Sequence, residues 1–383
     1  MVAPLNEKLK SVEWGGFKIG ELFEKLNLRF LKPVFDKEND ISREKNKEFD
    51  LPLVNAKDGS NGIMYYGRSK DFESAEMTID IVNDGAISTG NVYTQPQRTG
   101  VLYNAYLIKP NFKPTDKILH FLTSAIQKSI KQKYGYENKA GWAKVKDDII
   151  QLPIKDGKPD FEFMEHFIAE LEAERLAELE AYLLASGLKD YTLTEAEEKA
   201  IRDFKQDYLF WDKFKFKTIF NKIIQGRRLK KDDHKKGCIP FVMAGLTNTG
   251  VVNYISNPIA MFPKNSITID IFGNTFFRNY DFGAGDDTGV YWNDEKNYSK
   301  EIMLFFATSM GKSLSGKFDF GKKLRSSQSL DFLMNLPCKN NEPDYSMMET
   351  FISAIQKLVI KEVVLYADRK IEASQKIVNR NQK

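Results

Sequence analysis

Two stretches of this chain are copies of one another, and that duplication limits the fold more than any other feature. Leu152-Pro-Ile-Lys-Asp-Gly-Lys-Pro-Asp-Phe-Glu-Phe-Met-Glu-His-Phe-Ile returns as Leu336-Pro-Cys-Lys-Asn-Asn-Glu-Pro-Asp-Tyr-Ser-Met-Met-Glu-Thr-Phe-Ile. Every pair is separated by the same 184 residues, so no gap interrupts the copy. A period this long excludes a solenoid. One globular unit, followed by one helix, has been laid down twice.

The charge follows the same plan. Residues 14–155 hold 22 Lys and Arg against 18 Asp and Glu, and residues 211–338 hold 19 against 12. Between them, residues 160–208 hold 5 against 14. Two basic lobes therefore flank an acidic spacer. A basic lobe is the footprint of a polyanion-binding module, whereas an acidic helix repels phosphate. At 383 residues and 42% hydrophobic, the chain has enough apolar material for two or three cores. It shows no secretory signal and no apolar run of bilayer length, so no membrane role is expected. Cys238 and Cys338 lack metal-ligand spacing. They are read as buried, inert thiols in a reducing cytoplasm.

The expected class is α+β, with two pseudo-symmetric β-rich lobes joined by two long antiparallel helices. The boundaries are drawn at residues 1–158 for the first lobe, 159–208 for a helical spacer, 209–341 for the second lobe and 342–383 for a second helix. Leu51-Pro-Leu-Val-Asn-Ala is answered by Ile239-Pro-Phe-Val-Met-Ala, and Glu76-Met-Thr-Ile-Asp-Ile by Ser266-Ile-Thr-Ile-Asp-Ile. A helix is expected from Lys117 to about Lys133, and its counterpart over Lys300–Ser309. In the spacer, Ile168, Leu171, Leu179 and Tyr182 form a stripe at helical spacing. Ile352, Ile355, Val363 and Tyr366 repeat it, and the two stripes are expected to pair the helices and hold partners. Asp160 to Ala185 would span roughly 39 Å as a helix.

No catalytic or metal-binding constellation emerges, and no cofactor is implied. Met310-Gly-Lys-Ser looks like the end of a phosphate loop, but Phe306 stands where the first glycine belongs. His120, His166 and His234 lack partner spacing. Asp286-Asp287 reads as a turn cap. What recurs is basic and polar loops. In the second lobe these carry Arg227, Arg228, Lys230, Lys231, Thr247, Asn248, Arg278, Lys322, Lys323 and Arg325. In the first lobe the loop residues are Asn55, Lys57, Ser60, Asn61, Tyr65, Arg68, Lys139 and Lys144. Arg, Lys, Asn and Gln can read base edges, while Lys, Ser and Thr mostly anchor phosphates. Double-stranded DNA is the expected ligand.

The order of these motifs resembles the DNA-specificity subunit of type I restriction–modification systems and the related type IIB recognition subunits. The residues that carry the likeness are Phe17-Lys-Ile-Gly-Glu-Leu-Phe, Gly226-Arg-Arg-Leu-Lys-Lys, Asn248-Thr-Gly-Val, Phe318-Asp-Phe-Gly-Lys-Lys and the doubled segment itself. The resemblance implies two target-recognition domains, each reading half of a split site. It also implies helices that dock methyltransferase subunits and, in systems that have one, a restriction subunit. The chain departs from the pattern at Lys25–Lys37, where the first lobe lacks a Gly-Arg-Arg run. A reading from another class is a two-module carbohydrate- or protein-binding adaptor, which salt-insensitive binding would reveal. A third, a cryptic hydrolase, lacks its constellation.

Overall fold

The computed structural model describes residues 3–381. It divides into two compact units, Met1–Glu178 and Leu179–Lys383, and each contains one copy of the repeat. The mixed α and β class is as the sequence indicates.

The repeat is a hairpin followed by a helix cap. Strand Ile149–Lys155 turns through Asp156 and Gly157, with φ of 53° and 72°, into Lys158–Pro159. Strand Leu333–Lys339 does the same through Asn340 and Asn341, with φ of 54° and 63°. Two left-handed residues in succession give the turn that suits the sheet's twist, and Asp, Asn and Gly tolerate that conformation. The aspartate after each hairpin starts a helix. Asp160 Oδ1 accepts from the Phe163 amide at 2.9 Å, and Asp344 Oδ1 from the Met347 amide at 3.0 Å. The helices run Phe161–Ala185 and Tyr345–Asn381.

Each hairpin strand also pairs with the strand that opens its lobe, Trp14 opposite Pro153 and Trp211 opposite Pro337. Beyond this small sheet, each lobe has two four-stranded sheets. The central strands Thr78–Val82 and Ser266–Asp270 are buried along their whole length, because elements cover both faces. Helix Asp116–Ile130 covers one face in the first lobe, packing Leu119, Leu122 and Ile126 against Ile79 and Ile81. Helix Lys300–Leu314 does so in the second, running past Ser309 because Met310 and Leu314 are also buried. The other face meets a sheet that contains Leu51–Val54 in the first lobe and Lys236–Val242 in the second.

A helix precedes each lobe. Ala3–Ser11 places Leu5 in the first core, and Lys8 pairs with Glu170 at 2.6 Å. Glu195–Lys205 opens with a capping box between Thr194 and Glu197. It packs on the C-terminal helix through Ala200, Phe204 and Phe351. Glu197 also accepts from Ser353 Oγ at 2.6 Å and Lys357 Nζ at 2.8 Å.

The helical stripes are placed differently from the sequence expectation. Ile168 and Leu171 pack on the first lobe's own core, and Ile352 and Ile355 on the second's. Leu179 is half-buried. Tyr182, Val363 and Tyr366 are exposed, whereas Leu183, Val364 and Ala367 are buried within the second unit. Lys189 pairs there with Glu180 at 2.5 Å and lies 3.9 Å from Asp368. A single stripe assumes one partner along the helix. Here the C-terminal helix docks first on its lobe and then, a few turns on, buries its opposite side. Cys238 is exposed and Cys338 half-buried, so neither is the core thiol expected.

Candidate nucleic-acid interface

In the second lobe, five loop segments are tied into one face. Gly226 donates to the Thr288 carbonyl and Arg227 to the Ala284 carbonyl, each at 2.8 Å. A side chain at Gly226 would meet Gly285 O at 2.2 Å, so glycine is required for this close approach. Arg227 and Arg228 project outward from that anchor and are exposed, as are Lys230 and Lys231. Gln225 accepts from the Ser326 amide at 2.8 Å and donates to the Asp286 carbonyl, which also accepts from Arg325. Lys322 and Lys323 stand exposed beside Arg325.

Two acids of this face, Asp270 and Asp287, are occupied in holding loops. Asp287 accepts from the Ala244 amide and Asp270 from the Gly245 amide, both at 3.0 Å. Asp270 also caps Phe272 and Asn274. The face therefore offers cations outward while Asp270 and Asp287 turn inward, and Asp232 and Asp233 stay exposed beside Lys230 and Lys231. That arrangement suits a phosphate backbone.

At the centre lies a left-handed turn. Asn248 and Thr249 have φ of 48° and 51°, and Thr247 and Asn248 are exposed at its tip. Arg278, expected at the DNA, is instead 1% exposed. Its guanidinium donates to Thr268 Oγ1, Thr249 Oγ1, the Thr249 carbonyl and the Tyr280 hydroxyl. Burial pulls its pKa below the usual arginine value. Arg278 shapes the turn from beneath and cannot touch a base.

The first lobe builds the same turn with other residues. Ser60, Asn61 and Gly62 all have positive φ, and Gln95 Nε2 donates to the Asn61 carbonyl at 2.7 Å. Gln95 lies opposite Thr78 across the strands, as Arg278 lies opposite Ser266. These contacts match Thr78 with Ser266, two residues away from the match read in the sequence. A two-residue slip leaves every side chain on its own face, so hydrophobic alternation cannot detect it. Gln95 was absent from the expected site, and a polar residue in a buried strand was the available signal.

Beneath this turn, the Asp80 carboxylate oxygens are buried without a hydrogen-bond partner. A Cβ at Gly62 would lie 2.4 Å from Asp80 Oδ2. Burial pushes the Asp80 pKa well above the usual carboxylate value.

Several first-lobe candidates have structural duties. Asn55 is buried and accepts from the Asn104 amide at 3.1 Å, so it joins two loops rather than reading a base. Arg68 bridges Glu48, Asp71 and Asp40, donates to the Asn39 carbonyl and lies over Phe49, so it braces a loop. Tyr65 packs on a small core under Lys37. Lys139 pairs with Asp84, and Lys144 donates to Asn138 at 2.6 Å. Lys57 is half-buried, whereas Ser60 and Asn61 are exposed. In the stretch that lacks Gly-Arg-Arg, Lys32 lies 2.8 Å from both Asp40 and Asp71. The second lobe thus keeps more of its cations free. The Met310-Gly-Lys-Ser run falls inside helix Lys300–Leu314 and forms no loop.

Against known proteins, residues 11–181 and 210–365 each match the family described as the Type I restriction modification DNA specificity domain. The chain belongs to that family. The specificity subunit S.BcgI of a type II restriction enzyme from Heyndrickxia coagulans is 25% identical over 360 residues, spanning 91% of this chain and 96% of the relative. The S subunit of a type I restriction–modification system from M. genitalium has a similar fold. Its crystal structure gives a TM-score of 0.56 at 14% identity, covering 97% of this chain and 95% of that one. A specificity-family chain supplies DNA-sequence recognition within a restriction–modification system, while modification and restriction subunits perform the reactions. No helix among the described residues is long and apolar enough to cross a membrane.

Proposed function

We propose that this specificity chain reads a bipartite DNA target, with each lobe gripping one half-site, and positions a methyltransferase through its long helices. The observation that carries this reading is the doubled loop face. Each lobe presents a left-handed turn with exposed polar residues, Ser60 and Asn61 in one and Thr247 and Asn248 in the other. The turns share a frame but differ in side chains, so the two half-sites differ in sequence. Exposed Arg227, Arg228, Lys322 and Lys323 anchor phosphates and set register, and turn residues read base edges. The chain acts in the cytoplasm on genomic DNA, and a partner methyltransferase takes the target base out of the stack.

The test is to express the chain with its modification subunits and sequence the methylated sites. A split motif with a fixed unspecified gap is expected. A single contiguous motif would count against two independent reading heads, and absence of methylation on any DNA would remove the reading altogether.

A further inference from the structure

Each lobe ends its loop face in a tight turn that exposes one aromatic side chain. Tyr136 is 77% exposed and Phe320 is 85% exposed. They lie 184 residues apart, the same offset that relates Leu152 to Leu336. The turns themselves match. Gly135 donates to the Asn138 carbonyl at 2.9 Å, and Asp319 to the Lys322 carbonyl at 3.1 Å. Two residues before each tip, Tyr134 and Phe318 pack inward, each under a lysine ammonium.

One exposed aromatic needs no explanation. Two at the same register of a duplicated turn do, because the inner aromatic already anchors the turn and the outer one stays mostly exposed. Both turns are fastened to the recognition face. Ala140 donates to the Asn83 carbonyl at 3.1 Å, and Leu324 to the Ile271 carbonyl at 2.9 Å. The Phe320 ring lies 5.1 Å from that of Phe272, two residues after Asp270, which accepts from the Gly245 amide in the loop leading to the second lobe's left-handed turn.

We infer that Tyr136 and Phe320 are a matched pair of stacking residues that insert against bases at the edge of each half-site. The ligand is a base step of duplex DNA. In the second lobe the flanking chemistry favours DNA over a protein partner, whereas in the first the exposed Glu137 follows Tyr136. Lys322 and Lys323 follow Phe320 after Gly321, and the one acid in that turn, Asp319, spends a carboxylate oxygen capping Gly321 and Lys322. Aromatic wedges flanked by cations unstack a base step while the cations hold its phosphates. This inference rests on the DNA-reading function proposed above.

The test uses the full chain with its modification subunits, on duplexes carrying both half-sites and 2-aminopurine at successive positions. Wild type is expected to brighten one position at the edge of each half-site, besides the methylated base. Phe320→Ala should abolish the edge signal of the second half-site alone and weaken binding roughly tenfold. Phe320→Trp should restore both, and Tyr136→Ala should act only on the first half-site. Unchanged brightness and affinity in both alanine variants would overturn the inference. So would loss of the modification subunits from the complex, which would make the turn a protein contact. Failure of wild type to prefer split-site DNA is a different result, and it would fall on the functional reading.

Discussion

The buried guanidinium of Arg278 holds the carbonyl of Thr249, and Gln95 holds the carbonyl of Asn61 in the same way. Two different side chains thus perform one task in two homologous lobes. Each supports a left-handed turn by donating to a carbonyl of one of its positive-φ residues.

Arg278→Ala should therefore cost about 1–3 kcal/mol of stability, since it leaves buried acceptors unpaired. It should relax recognition of the second half-site and leave the first intact. Arg278→Gln, copying the first lobe, should restore part of both. Thermal unfolding together with methylated-site sequencing separates the two effects. Equal damage to both half-sites would contradict the local role.

The exposed arginines should behave otherwise. Arg227→Ala and Arg228→Ala should leave stability within about 0.5 kcal/mol, as exposed positions do. Each should flatten the dependence of log affinity on log salt by about one where the side chain meets a phosphate. Binding titrations at several salt concentrations check this. Weakened binding with an unchanged slope would assign the residue to base reading instead.

Glu197 predicts a response to acid. Burial alone would raise its pKa, but Lys357, Ser353 and the Thr194 cap outweigh burial and lower it to about 2. A carboxylate with a depressed folded pKa stabilises the fold above its unfolded pKa, near 4.5. That contribution fades as pH falls from about 4.5 towards 2. Glu197→Gln should therefore destabilise the second lobe at neutral pH and match wild type near pH 2. Equal loss at both pH values would show that packing, not charge, is responsible.

Asp80 predicts the opposite trend. Its folded pKa is raised by burial, so the penalty for burying it grows as pH climbs above the ordinary carboxylate pKa. Asp80→Asn removes the titration. The variant's melting temperature relative to wild type should rise between pH 4 and pH 8. A flat difference across that range would mean that Asp80 meets a partner that neutralises it.

Much of this was legible in the sequence because the repeat carries its own physics. The doubled segment marks a long helix beginning near Asp160 and again near Asp344, while the hairpin turns at Asp156-Gly157 and Asn340-Asn341 come with the structure. The helix at Asp116–Ile130 followed from spacing, whereas the two long helices change the side they bury along their length. The site was harder to read. Asn55, Arg68 and Arg278 have the right chemistry for reading DNA, but whether a polar side chain faces solvent or a buried carbonyl depends on long-range packing. Gln95 and Phe320 were missed for the same reason in reverse. A buried glutamine and an exposed phenylalanine each contradict the habit of their residue type.

The central claim is that the lobes read DNA independently. Its most direct measurement is a lobe exchange, in which residues 14–155 replace residues 211–338 in the full chain and the methylated sites are then sequenced. The expected target contains the bases of the first half-site twice and those of the second not at all. Persistence of the second half-site would contradict the claim.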